Sequence, residues 1–257
     1  LHFLKADYTF LGMNSILHIV LGLILICCGG KNVSIEHQGP SNPPTHAAWN
    51  KLVQSHVDAD GNVDYSGFQK EVSRLDAYLE ELSANPPGSS WTKNEKLAYY
   101  INLYNAGTVK LIMDHYPVES IKDIPNRWDK EWIKVGNDVL SLNDIEHKIL
   151  RKMNEPRIHF AINCASYSCP KLLNTAFTAQ NLEEQLQQTA FDFINDPKRN
   201  RFEGNTAYLS KIFKWYKGDF TENSSLQEYI SFYLVHPVSK ETKIDYLEYD
   251  WSLNDAK

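Results

Sequence analysis

"RIHFAINCASYSCP", residues 157–170, decides how this chain is read. Ile158, Phe160 and Ile162 alternate with Arg157, His159, Ala161 and Asn163, the period-two pattern of a strand. The spacing predicts a buried strand over residues 157–163. It runs into "CASYSCP", a tight loop of small residues that holds Cys164 and Cys169. By strict alternation Cys164 continues the Ile158 face, although it stands where the strand ends.

Working outward, "SLNDIEHKILRK" (residues 141–152) reads as a helix capped by Ser141, with Asp144 three residues on. Leu142, Ile145 and Ile149 form its core stripe. Glu146 and His147 lie off that stripe, and His147 and Arg151, four apart, share a face. "EWIKVGNDVLSL" reads as a hairpin turning at residues 136–138. Upstream, residues 91–117 carry a long helical pattern with a Thr92–Glu95 capping box. Asn102 and Asn105 interrupt its apolar run. Burying their amides demands hydrogen-bond partners, so they either face a site or cap a neighbouring loop. An amphipathic helix precedes it, with Phe68, Val72, Leu75, Leu79 and Leu82 on one stripe. "DADGNVDY" has its glycine at the wrong place for a calcium loop and reads as an Asp-Gly turn. Downstream come a helix capped near Thr178, short strands near Phe202 and Tyr208, the aromatic stretch "LSKIFKWYKGDF", a helix over "SLQEYISFYLV" and a final strand over "KIDYLEYDW". Together these predict an α+β fold: a single domain whose helical N-terminal half packs on a small, mostly antiparallel sheet.

The 257 residues suffice for a core without disulfides, and a net charge of −6 gives nucleic-acid binding no electrostatic support. "ILHIVLGLILICCGG" (residues 16–30) is short for a membrane span and reads as the apolar part of a signal peptide, with Met13 as its start. Cysteine followed by two glycines resembles a lipoprotein processing site, and Cys28, preceded by the smaller Cys27, is the residue expected to carry the lipid. Residues 1–28 are then leader, residues 29–48 a polar tether and residues 49–257 the domain. An exported protein anchored to a membrane by its lipid is the expectation, with a substrate or cell-envelope partner that the sequence leaves unnamed. An oxidising compartment permits a Cys164–Cys169 disulfide.

The stretches "AYYINLYNAGTV", "SIKDI", "SLNDIEHKILR", "RIHFAINCASYSCPKL" and "LSKIFKWYKGDF", in this order over residues 97–220, resemble the family catalogued as domain of unknown function 547. That family looks like a distant relative of papain-like and transglutaminase-like proteins, which implies a papain-like scaffold by fold-level analogy. Papain-like enzymes carry the nucleophilic cysteine at the start of the central helix. The long helix here has none, so the thiol has moved to Cys164 or the scaffold is inactive.

Three readings of the chemistry stay open. In a cysteine-dependent hydrolase or acyl transferase, Cys164 is the nucleophile, His147 the base and Glu146 the accompanying carboxylate. The loop's backbone N–H groups face the oxyanion. His159 is excluded as base because five strand residues at about 3.3 Å each put it roughly 16 Å from Cys164. It supports the site instead, with Asn102, Asn105, Arg151, Arg157 and Cys169. In a non-catalytic surface lipoprotein, a Cys164–Cys169 disulfide silences both thiols, and Trp132, Trp215 and Tyr216 supply contacts to a peptide, glycan or protein. In a zinc site, Cys164, Cys169, His147 and His159 are ligands, at spacings loose for such a site. No cofactor motif is present, neither G-x-G-x-x-G nor a P-loop.

Overall fold

The computed structural model describes residues 42–256, so the leader, Cys28 and most of the tether lie outside the described residues. Helices α1 (Ala47–His56), α2 (Tyr65–Lys70) and α3 (Val72–Ala84) open the domain. The apolar stripe expected on one helix is shared by two. Phe68 is buried within α2, Glu71 leaves helical geometry, and Leu75 and Leu82 continue the buried face on α3. Between α1 and α2 the Asp-Gly turn forms as expected. Asp58 Oδ1 accepts the N–H groups of Asp60 and Asn62, and Gly61 takes φ +82°, which a β-carbon disfavours.

Helix α4 (Lys93–Met113) begins at the expected capping box: Thr92 N–H donates to Glu95 Oε2 at 2.7 Å and Glu95 N–H to Thr92 Oγ1 at 3.3 Å. It is buried on nearly every face, because it runs through the first of two hydrophobic cores. The hairpin β1 (Ile133–Val135) and β2 (Asp138–Leu140) turns at Gly136, φ +59°, and lays Ile133, Val135 and Leu140 on that core.

The second core gathers α5 (Leu182–Asn195), α6 (Ile212–Trp215), α7 (Lys217–Phe220) and α8 (Leu226–Tyr233) around a three-stranded sheet. Strand β4 (Thr206–Leu209) pairs antiparallel with β3 (Arg201–Glu203) and parallel with β5 (Lys243–Tyr246). The fold is mixed helix and sheet, as expected. Its described strands lie in two small sheets, a hairpin and a mixed three-stranded one. Among the described residues no helix is long and apolar enough to cross a membrane.

The segment that opened the reading is not a strand. Residues Pro156–Phe160 form a turn and a half of 3₁₀-helix, entered through Asn154 at φ +51°. Pro156 sets the first helical position, Glu155 accepts the Arg157 N–H, and the Arg157 guanidinium forks between Glu155 and Glu183. The alternation misled because the segment lies between the two cores. Ile158 and Ile162 pack into the first, Phe160 into the second, and every residue from 158 to 163 is buried. A run buried on all sides carries no periodic signal.

Candidate functional site

The preceding helical stretch is also irregular. After Ser141 caps it through Asp144, residues Asp144–Ile149 wind as a π-helix and Leu150–Met153 as 3₁₀. The wider π turn brings neighbouring residues closer in direction than an α-helix does, and such turns concentrate at functional sites. Glu146 and His147, adjacent in sequence, therefore line one cavity together.

That cavity, of ≈ 210 Å³, is walled by Tyr104, Trp128, Trp215, Tyr216, Tyr249 and Trp251. Glu146, His147, His159, Cys164 and Cys169 line it too. The 3₁₀ geometry removes the extended chain that put His159 out of range. Trp215 and Tyr216 are in the walls as expected, whereas Trp132 lies in a separate groove beside the hairpin.

Cys164 sits at a sharp turn. Ala165, which follows it, takes φ +56° and is fully buried, a conformation that costs a non-glycine residue. A relay of asparagines holds the turn. Asn105 Oδ1 accepts the N–H of Asn163 at 2.8 Å, and its Nδ2 donates to the Ala161 carbonyl at 3.0 Å. Asn163 in turn accepts the Ala165 N–H and donates to the Pro170 carbonyl. Asn102 makes the equivalent pair of bonds to Phe177. Both helix asparagines thus clamp neighbouring backbone and contribute nothing directly to the cavity. Asn105→Leu removes both bonds and leaves a buried peptide unsatisfied, so a loss of about 1–3 kcal/mol in stability is expected by chemical denaturation; an unchanged unfolding midpoint would show that the clamp does not bear the loop.

The Cys164 sulfur lies 2.8 Å from Cys169 Sγ, 3.1 Å from Ser166 Oγ and 3.3 Å from the Tyr249 hydroxyl. Both cysteines are free thiols. The contact with Cys169 draws the Cys164 pKa below its ordinary value; burial opposes, Ser166 and Tyr249 reinforce the lowering, and the charge of Glu146 opposes again. Burial, and then the neighbouring Cys164, hold Cys169 well above the thiol range, so Cys169 keeps its proton. No imidazole is among these contacts, contrary to the expected Cys–His pair.

Four of the loop's backbone N–H groups expected to face an oxyanion are engaged elsewhere. The N–H of Cys164 points to Cys169 Sγ, that of Ala165 to Asn163, and those of Tyr167 and Ser168 to the carbonyls of Ser252 and Asp250. The hydroxyls of Ser166 and Tyr249 stand within 3.3 Å of the sulfur. Burial and then the Cys164 charge push the Tyr249 pKa well up, which keeps it a donor.

The two histidines differ in what their nitrogens can do. Arg151 Nη1 lies 2.9 Å from His147 Nδ1. A guanidinium only donates, so Nδ1 accepts and the neutral ring carries its proton on Nε2. Asp219 grips Arg151 with two bonds of 2.7 Å and His159 Nε2 with one of 2.8 Å. Hydrogen bonds from Arg151 hold the Asp219 carboxyl well below the usual range, so it accepts and His159 carries its proton on Nε2. Burial lowers the His159 pKa against the pull of Asp219, and its Nδ1 has no hydrogen-bond partner. His159 is 2 % exposed and stacks on Tyr216 at 3.9 Å. Arg151 thus acts on the site through His147 and Asp219. Arg157, occupied by Glu155 and Glu183, fixes the entry of the 3₁₀ turn and leaves the cavity alone. Among the described residues no group of three or more His, Cys, Asp or Glu is placed to hold a metal ion, so the zinc arrangement of Cys164, Cys169, His147 and His159 does not assemble.

Sequence reasoning missed Asp219, Tyr249, Ser166 and Tyr104. Tyr104, Ser166 and Asp219 lie inside stretches quoted for the family resemblance, which is the available signal. Tyr249 arrives on a tail that leaves β5 and bonds back to the Cys164 loop, a contact no local pattern records.

The family model described as "Protein of unknown function, DUF547" matches residues 88–194. The match spans Glu146, His147, His159, Cys164 and Cys169, and ends before Asp219 and Tyr249. No curated protein and no solved structure matches the chain. Over residues 88–194, which carry the thiols, both histidines and the buried carboxylate of this cavity, the chain belongs to the DUF547 family.

Proposed function

We propose that the protein is a cysteine-dependent acyl-transfer enzyme, a hydrolase or transferase acting on an amide, peptide or thioester. One observation carries the reading: a thiol with a lowered pKa shares a small aromatic cavity with an imidazole whose Nε2 is held by a carboxylate and whose Nδ1 is free. Cys164 is the nucleophile. His159, oriented by Asp219, is the base in place of His147, whose acceptor nitrogen is taken by Arg151. Attack by the Cys164 thiolate forms the acyl–sulfur bond and breaks the bond to the leaving group, which takes up the proton the thiol had released. Water or an amine then gives a proton to Nδ1 of His159 as it attacks the thioester carbon, and Cys164 departs as thiolate. Tyr249 and Ser166 donate to the oxyanion. The apolar run ending at Cys28 supports an exported, lipid-anchored setting for this activity.

The 2.8 Å sulfur contact favours a second reading, in which an oxidant takes two electrons and two protons from the pair. The chain is then a binding lipoprotein with a Cys164–Cys169 disulfide. Alkylation separates the two. With reductant removed just before the assay, Cys164 is expected to react with iodoacetamide with a midpoint pH below that of an ordinary thiol, and Cys169 only far above it. Recovery of the two joined, or a Cys164 midpoint above the ordinary value, would remove the enzyme reading.

A further inference from the structure

Two side chains that line the cavity each carry a buried acceptor atom with nothing to accept. Glu146 is 7 % exposed; its Oε2 takes the Tyr104 hydroxyl at 3.2 Å and the Tyr216 hydroxyl also bonds to the carboxylate, while Oε1 has no hydrogen-bond partner. The Nδ1 of His159, the unprotonated nitrogen of that ring, is in the same position. A buried carboxylate is costly unless paired. The nearby guanidinium does not pair with it, because Arg151 is gripped by Asp219 and bonded to His147.

A ligand that completes this cavity must donate hydrogen bonds and carry positive charge. An anion would meet the Glu146 carboxylate and the acid-leaning Cys164 thiol. A hydroxyl donates once and brings no charge. An alkylammonium donates three times and neutralises the carboxylate. The walls fit the same group: Trp128, Trp215, Tyr216 and Trp251 line the cavity, and aromatic faces attract cations.

We propose that this cavity binds a primary ammonium group, held by Glu146 Oε1 and His159 Nδ1 within the aromatic walls. The inference builds on the acyl-transfer reading, in which the amine-bearing molecule is the acyl acceptor that gives a proton to His159 Nδ1, and it names the substrate class of that site.

Calorimetric titration of the reduced wild-type protein with n-butylammonium and with its neutral isostere n-butanol tests it. The ammonium is expected to bind about tenfold more tightly than the alcohol or better, the increment of one charge-assisted hydrogen bond. Glu146→Gln is expected to weaken n-butylammonium about tenfold and leave n-butanol unchanged. Equal affinities in the wild-type protein, or no binding of the ammonium, overturn the proposal without any variant; full ammonium affinity in a folded Glu146→Gln protein overturns it too. Failure of the enzyme reading looks different: ammonium binding persists while no acyl probe turns over. Turnover without ammonium preference removes only the present inference.

Discussion

Cys164→Ser is expected to lower turnover of activated acyl substrates by about 10³-fold or more, with the fold retained. Serine keeps a hydroxyl at the position where Ser166 and Tyr249 already converge, so the local hydrogen bonds persist. What disappears is the low-pKa sulfur. A serine hydroxyl ionises far above a thiol, and no imidazole touches this position to take its proton, since the contacts of Cys164 are Cys169, Ser166 and Tyr249. A site that activates its nucleophile through hydrogen-bond donors therefore tolerates the exchange less well than one with a general base in contact. The measurement is steady-state hydrolysis of a panel of thioesters, esters and peptide amides, with circular dichroism to confirm folding. Turnover equal to wild type would take Cys164 out of the mechanism and leave the cavity as a binding site.

The parts of this fold that were legible in the sequence are those fixed by neighbours a few residues apart. The Thr92–Glu95 box and the Ser141–Asp144 cap each close within three residues, and the hairpin turn rests on Gly136. Such contacts leave their spacing in the sequence. Residues 157–163 read as a strand, yet Pro156–Phe160 form a 3₁₀ turn, because burial on every side erases the difference between the two. The strand reading is also what sets His159 about 16 Å from Cys164 and directs the choice of base to His147. The site residues placed on local grounds, Cys164, Glu146 and His147, do line one cavity. Asp219 and Tyr249 stand 60 and 85 residues from His159 and Cys164, and only the packing of the second core brings them in. The four-residue spacing puts Arg151 on one face with His147, but its consequence, fixing that ring's tautomer, is a matter of which atom accepts and shows only in the structure.

Asp219→Asn is expected to cut kcat by about 10²–10⁴-fold, the range lost when a general base is disabled. The carboxylate does two things at once: it fixes the His159 proton on Nε2, and it anchors Arg151, which occupies Nδ1 of His147. An asparagine oxygen accepts one of these partners well. If its amide nitrogen turns to His159, it donates to Nε2, the ring proton moves to Nδ1, and the nitrogen needed as acceptor is lost. The pH profile separates this from mere loss of structure. The Asp219 charge raises the His159 pKa against burial, so its removal lowers that pKa. The residual acid limb of kcat/KM, below which the imidazole is protonated and inactive as base, then moves to lower pH. Cys164 draws its donors from Cys169, Ser166 and Tyr249, so its alkylation midpoint should stay where it was. Wild-type kcat in Asp219→Asn would return the base to another group. A shifted alkylation midpoint would mean that Asp219 supports the whole cavity rather than His159.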